Sequence, residues 1–284
     1  MLRTAFKQNI KNPLNLLWLI APVAWYMGTG TTRQNIEFIS NAAQTNEAFR
    51  QQLAAINGYT VFIEGASDFY LPVLLVLLGG IIYSSSFAYD KNTGYGNYCI
   101  TRSTFGKYYF SKTFSTFICS FMFAFISLFG IFCYSLIKYS AVYPTAGFNL
   151  LMVNEDIKAL FYTNPLFIVF SIIFTLCIFT AIYTTIGIGI SVFFSNRLII
   201  SVSPLAVYLL CTMIPQFFNI QSPAAKILAW IFPSYFTGFF IANDFFYCKL
   251  PIWGIYPIHI LILCVPALVF LTLLYRKNTK QYIR

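Results

Sequence analysis

Charged residues in this chain fall in short islands separated by long apolar stretches. No Asp, Glu, Lys or Arg interrupts the runs between Lys11 and Arg33, Asp68 and Asp90, Lys112 and Lys138, Lys158 and Arg197, Arg197 and Lys226, or Lys249 and Arg276. These gaps hold 21, 21, 25, 38, 28 and 26 residues. Each can supply the roughly 20 apolar residues a helix needs to cross about 30 Å of hydrocarbon. A charge at a helix centre costs at least about 2.5–3.5 kcal/mol on insertion scales, so six such gaps are unlikely to arise by accident. The pattern predicts an all-α integral membrane protein, a single transmembrane domain over residues 1–284. Six transmembrane helices are expected, over about 13–30, 69–89, 113–137, 166–194, 198–217 and 252–275.

Composition agrees, with 58% hydrophobic and 9% charged residues, against roughly 25% charged in soluble domains. Six spans and their loops consume nearly the whole chain, which leaves no room for a soluble catalytic domain. The net charge of +10 points to topology and not to nucleic acid. With the N-terminus inside, the inner segments 1–12, 89–112, 195–197 and 276–284 carry 12 basic residues against 6 outside. Asp90 is the one inner acid. That bias predicts cytoplasmic termini in a multi-pass protein of the cell membrane. The first apolar run is read as a retained span, because no small-residue cleavage site clearly follows it. The seven cysteines show no CxxC and no metal-ligand spacing.

Residues 2–12 place Leu2, Phe6 and Ile10 at i, i+4 and i+8, with Arg3, Lys7, Gln8 and Lys11 elsewhere. This predicts a short N-terminal interfacial helix at the inner headgroup surface; an ordinary basic flank that only sets topology is the alternative. Residues 31–67 read as an outside segment of one or two short helices ending near Asn57-Gly58. Gly79-Gly80 in span two, and Gly187 and Gly189 in span four, suggest close helix contacts, with a kink possible at the first pair. Ser195-Asn196-Arg197 is short enough to make spans four and five an antiparallel hairpin. The apolar stretch 227–243, broken by Pro233, reads as an outer re-entrant hairpin before span six.

The one substantial inner feature is the Tyr89–Lys112 loop. Asp90 and Lys91 leave the membrane, Asn92-Thr93-Gly94 forms a turn, and an amphipathic stretch runs from about Asn97 to Phe110. Tyr98, Phe105 and Tyr109 suit an interface, while Arg102 and Lys107 face water or a partner. Lys112 closes the loop at the membrane.

Asp90, Gly94, Arg102 and Lys112 in this order resemble the corresponding loop in permease subunits of type-2 ABC exporters. The resemblance extends to the N-terminal interfacial helix, the six spans, the proline early in span five and the apolar hairpin before span six. Two departures stand out: Asp occupies position 90 where Glu is common, and Tyr95 in place of Thr follows Gly94. The resemblance implies that Asn97–Phe110 is a cytoplasmic coupling helix docking into a separate ABC ATPase subunit. Asp90, Gly94, Arg102, Phe105, Lys107 and Lys112 would form that contact. It also implies pairing with a second permease chain, identical or different, and export of a hydrophobic or amphipathic substrate such as a peptide, lipid-linked molecule or drug.

The chain itself has no GxxxxGK[ST] phosphate loop, so it is not expected to bind nucleotide or act alone as an enzyme. No cofactor is expected on this chain; ATP and Mg would belong to the partner. His259 is the sole histidine, and no HExxH occurs. Gly65-Ala-Ser67 only superficially matches an intramembrane serine nucleophile, which would need a base at hydrogen-bond distance. Glu155-Asp156 reads as a solvated loop pair. A secondary transporter or channel is the main rival, disfavoured by the scarcity of ionisable residues in the spans. An accessory membrane assembly subunit is the other.

Overall fold

The computed structural model describes residues 2–29, 37, 40, 41, 44, 46, 47, 56–67, 70–84, 86–102, 104–139, 141, 161–191, 194 and 196–213. Over these residues the chain is all-helical, without a strand. The helices are α1 (Leu2–Ile10), α2 (Asn15–Thr29), α3 (Gly58–Ser67), α4 (Tyr70–Gly79) with a π-helical continuation at Gly80–Ser84, α5 (Ser86–Asn92), α6 (Tyr95–Thr101), α7 (Phe105–Tyr139), α8 (Pro165–Ile190) and α9 (Arg197–Met213). The expected sixth span at 252–275, the hairpin at 227–243, residues 214–217 of span five, the basic tail, His259 and Glu155-Asp156 lie outside the described residues.

Two helices among the described residues are long and apolar enough to cross a membrane: α7 with a mean hydropathy of 2.2 and α8 with 2.6 in their best windows. A third candidate is a bent pair, in which Gly58–Ala66 and Tyr70–Ser84 meet at 63°. The shorter apolar helices Asn15–Met27 and Arg197–Leu210 fall at the expected spans one and five. This architecture is compatible with a membrane protein.

Local chemistry explains most of the boundaries. Asn57 opens α3, its Oδ1 accepting from the Tyr59 and Thr60 amides at 3.0 Å each. Thr60 reciprocates, its Oγ1 accepting from the Asn57 amide at 3.0 Å, the logic of a capping box. The Asn57-Gly58 pair therefore starts a helix, so residues 58–67, read from sequence as part of an outside segment, form a helix of the bundle. Tyr59, Phe62, Ile63 and Ala66 are buried in the main core. Asn164 precedes α8, with Pro165 at its first turn, where the missing N–H is not needed. Asn196 opens α9 by accepting from the Leu198 amide at 2.9 Å.

Helix α7 is the hub, packing against α1, α2, α3 and α8, while α9 closes on α4, the π segment and α8. Where α4, α8 and α9 meet, side chains are excluded. A Cβ on Gly80 would lie 2.1 Å from the Ser201 carbonyl oxygen, and one on Gly79 would lie 2.2 Å from Thr184 Oγ1. A Cβ on Gly187 would lie 2.3 Å from Ser84 Oγ and 2.6 Å from the Pro204 ring. These are the close approaches that paired small residues permit in apolar bundles. The backbone of α4 also changes pitch there, to the π form, so Gly79-Gly80 serves both contact and deviation.

Thirty-five residues at 1.5 Å each give α7 a length of about 52 Å, against about 30 Å of hydrocarbon. Its first turns thus project well past an apolar core of that thickness. The single coupling helix expected over Asn97–Phe110 is in fact divided. It becomes α6, ending at Thr101, and the first turns of α7, which restart at Phe105. Thr104 sets the restart: the Tyr108 amide donates to its carbonyl at 3.2 Å, and the Lys107 amide to its hydroxyl at 3.5 Å.

Candidate functional site

At the end of the bundle where α1, α5, α6 and the start of α7 converge, a half-open cleft of about 290 Å³ is lined by both aromatic and polar side chains. Its floor is an ion pair. Lys112 Nζ donates to Asp90 Oδ2 at 2.8 Å, and the Tyr108 hydroxyl donates to the same oxygen at 2.7 Å. The Asp90 and Lys112 side chains are only 6% and 5% exposed. A buried carboxylate needs both a counter-charge and hydrogen bonds, and α7 supplies both from positions four apart on one face. Asp90 and Lys112 thus tie the end of α5 to α7.

Between them the chain turns sharply. The Thr93 hydroxyl donates to the Tyr89 carbonyl at 2.9 Å, and Gly94 adopts φ 74°, ψ −3°. That left-handed conformation is open to glycine without penalty. A Cβ at Gly94 would meet nothing within 4 Å, so the dihedral alone, and not space, favours glycine there. The Tyr98 amide then donates to the Gly94 carbonyl at 3.2 Å, and α6 begins.

On the open side of the cleft, the Arg102 guanidinium lies 4.3 Å from the centre of the Tyr98 ring. Both side chains are exposed, and the stacking holds the cation in place at the mouth. Tyr95 stacks on Tyr98 with centroids 6.4 Å apart. A hydrogen bond with Cys99, then burial and the nearby Cys99 and Asp90 groups, raise the Tyr95 phenol above its ordinary pKa, against a smaller lowering from Gln8.

The sequence-nominated residues divide into three groups. Asp90 and Lys112 are joined and buried; Gly94 shapes the turn; Arg102 and Lys107 are exposed. Phe105, expected at an interface, is instead buried at 8% with Tyr108, Tyr109 and Ile188, and Cys99 and Ile100 pack against them. It fastens the loop to the bundle, because α6 ends at Thr101 and α7 restarts at Phe105, with Phe105 packed beside Ile188 of α8. Tyr109 shares that position. In the N-terminal helix, Leu2, Lys7, Ile10 and Lys11 are exposed. Phe6 belongs to α1, but its side chain lies outside the described residues.

Sequence reasoning missed the seat of α1. Asn9 is buried at 4% and its Nδ2 donates to Ser115 Oγ at 3.1 Å. Asn15 Nδ2 donates to the Asn9 carbonyl at 2.7 Å, while Asn15 Oδ1 accepts from the Tyr83 hydroxyl at 2.7 Å. Asn12 Nδ2 donates to the Ile82 carbonyl in the π segment at 3.4 Å. These amides tie α1 and the α1–α2 turn to α7 and to the π segment. Thr4, Ala5 and Gln8 then form one wall of the cleft.

Among the described residues no cluster of three or more His, Cys, Asp or Glu could hold a metal. Comparisons with protein-family models, curated proteins and solved structures find no match to this chain.

Proposed function

We infer that this chain is the membrane-spanning permease subunit of an ATP-driven exporter, energised by a separate ATPase that docks at the cleft end of the bundle. Its six spans would place both termini in the cytoplasm of a cell with the bilayer as its permanent partner. A second permease chain would complete the substrate route. ATP and Mg would be held by the ATPase, and the substrate would be hydrophobic or amphipathic.

The observation that carries this is the buried Asp90–Lys112 pair. It fastens a short helix-turn-helix, α5–α6, to the longest helix of the bundle, while leaving Arg102 exposed on Tyr98. A push on α6 would pass through the ion pair to α7, and along α5 into the π segment that abuts Gly187 and Pro204. In this scheme Asp90, Gly94, Phe105 and Lys112 are positioning residues, and Arg102 and Lys107 are the surface a partner would meet. Arg102→Glu is expected to abolish ATP-dependent export from inverted membrane vesicles while leaving thermal stability within about 0.5 kcal/mol of the parent, as for an exposed substitution. Undiminished export by this variant would remove Arg102 from the coupling contact.

One observation favours a secondary transporter instead. Glu64 lies half-buried within α3, part of the bent apolar pair, and broken helices carrying an ionisable residue mark coupling-ion sites in such proteins. Glu64→Gln separates the two: an ATP-driven exporter keeps its activity, whereas an ion-coupled transporter loses it.

A further inference from the structure

Successive side chains on a helix are about 100° apart, so residues four apart form nearly continuous stripes. On α1 these stripes have different destinations. Ala5 and Asn9 are buried, at 8% and 4% exposure; Ala5 borders the cleft, and Asn9 is anchored on α7 by Ser115 and Thr116. Thr4 and Gln8 line the cleft. Leu2 and Ile10, at 40% and 59% exposure, share a stripe on the far side of Asn9 from the cleft. Beside that apolar stripe runs a third, Arg3, Lys7 and Lys11, all exposed. None of the three forms an ion pair among the described residues. The helix leads through one turn into α2, whose exposed side chains include Leu16, Leu17 and Ile20.

We propose that α1 is a receptor for the acidic headgroups of the leaflet it lies on, and that those headgroups hold one wall of the coupling cleft in place. Adjacent apolar and cationic stripes fit a surface whose acyl boundary and anionic headgroups are also adjacent. An apolar leaflet also accounts for the exposed Leu16, Leu17 and Ile20 of α2 that follow in the chain. Gln8, on the opposite flank, lines the same cleft as Tyr95 and Tyr98 of α6, so anchoring α1 also constrains that cleft. The proposal deepens the function inferred above and rests on α2 entering the membrane.

The test is amide hydrogen exchange of residues 2–12 and 95–101 in the full chain. It is reconstituted in nanodiscs of phosphatidylcholine alone and of phosphatidylcholine mixed with phosphatidylglycerol. Each basic residue near an anionic surface contributes roughly fivefold in binding, so α1 opening should become about a hundredfold rarer in the acidic discs. Exchange in α6 should slow alongside it. The triple variant Arg3→Gln, Lys7→Gln, Lys11→Gln should exchange alike in both discs. The charge-preserving set Arg3→Lys, Lys7→Arg, Lys11→Arg should retain the difference. Identical exchange of the parent chain in both discs would overturn the proposal while leaving the permease inference standing, as would slowing only on addition of an ATPase partner. Failure to incorporate into any disc would overturn both.

Discussion

Replacing Lys112 by Met keeps the length and most of the apolar stem of the side chain but deletes its charge. Asp90 would then be left in place, about 6% exposed, with one neutral hydrogen bond from Tyr108 at 2.7 Å and no counter-ion. Breaking a buried pair by removing one partner costs about 3–5 kcal/mol, because the surviving charge is uncompensated. Replacing both charges together is commonly near neutral. The double variant Asp90→Asn, Lys112→Met should therefore recover most of the loss, since the asparagine amide oxygen can still accept from Tyr108. The assay is thermal unfolding in mild detergent, followed by the fraction surviving size-exclusion chromatography. At about 2–4 °C per kcal/mol for domains of 150–250 residues, the single variant should lose on the order of 10 °C. The double variant should fall within about 4 °C of the parent. A single variant as stable as the parent, or a double variant as unstable as the single one, would refute the claim that this pair fastens α5 to α7.

Two further substitutions test the packing and the turn. Gly80→Ala should lower thermal stability by about 1–3 kcal/mol, as overpacking does, because its Cβ would meet the Ser201 carbonyl at 2.1 Å. Gly130→Ala, whose Cβ would sit 3.8 Å from Val23, should be neutral or stabilising by up to about 1 kcal/mol from helix propensity; equal effects at both sites would contradict the packing. Gly94→Ala should cost about 1–2 kcal/mol because φ 74° is a left-handed conformation. Gly94→Asn should cost less, and the same melting assay ranks them.

What the sequence made legible was periodic or punctuated. The charge-free runs located α7 and α8 to within a few residues at most ends, and i, i+4, i+8 spacing found the apolar stripe of α1. Gly79, Gly80 and Gly187, legible as small residues in apolar runs, do sit at close approaches. The errors have physical causes. The Asn57-Gly58 pair resembles loop chemistry, yet Asn57 caps a helix in which Tyr59, Phe62, Ile63 and Ala66 are buried in the core. Asp90 and Lys112 were each singled out, but their pairing across 22 residues is a tertiary fact without a local signal. Tyr108 could have been suspected from its position four before Lys112. The Asn9, Asn12 and Asn15 network had no such clue, because isolated amides near an apolar run carry no period. The amphipathic pattern through Phe110 hid the end of α6 at Thr101 and the restart of α7 at Phe105, and so the burial of Phe105.

The most direct test of the permease assignment is purification of the tagged full chain from native membranes in mild detergent, with mass spectrometry of stoichiometric partners. A co-purifying P-loop ATPase is expected, retained by the Asp90→Asn, Lys112→Met variant and lost on Arg102→Glu. A chain recovered without any ATPase under several mild detergents would contradict it and shift the assignment toward a transporter built around Glu64.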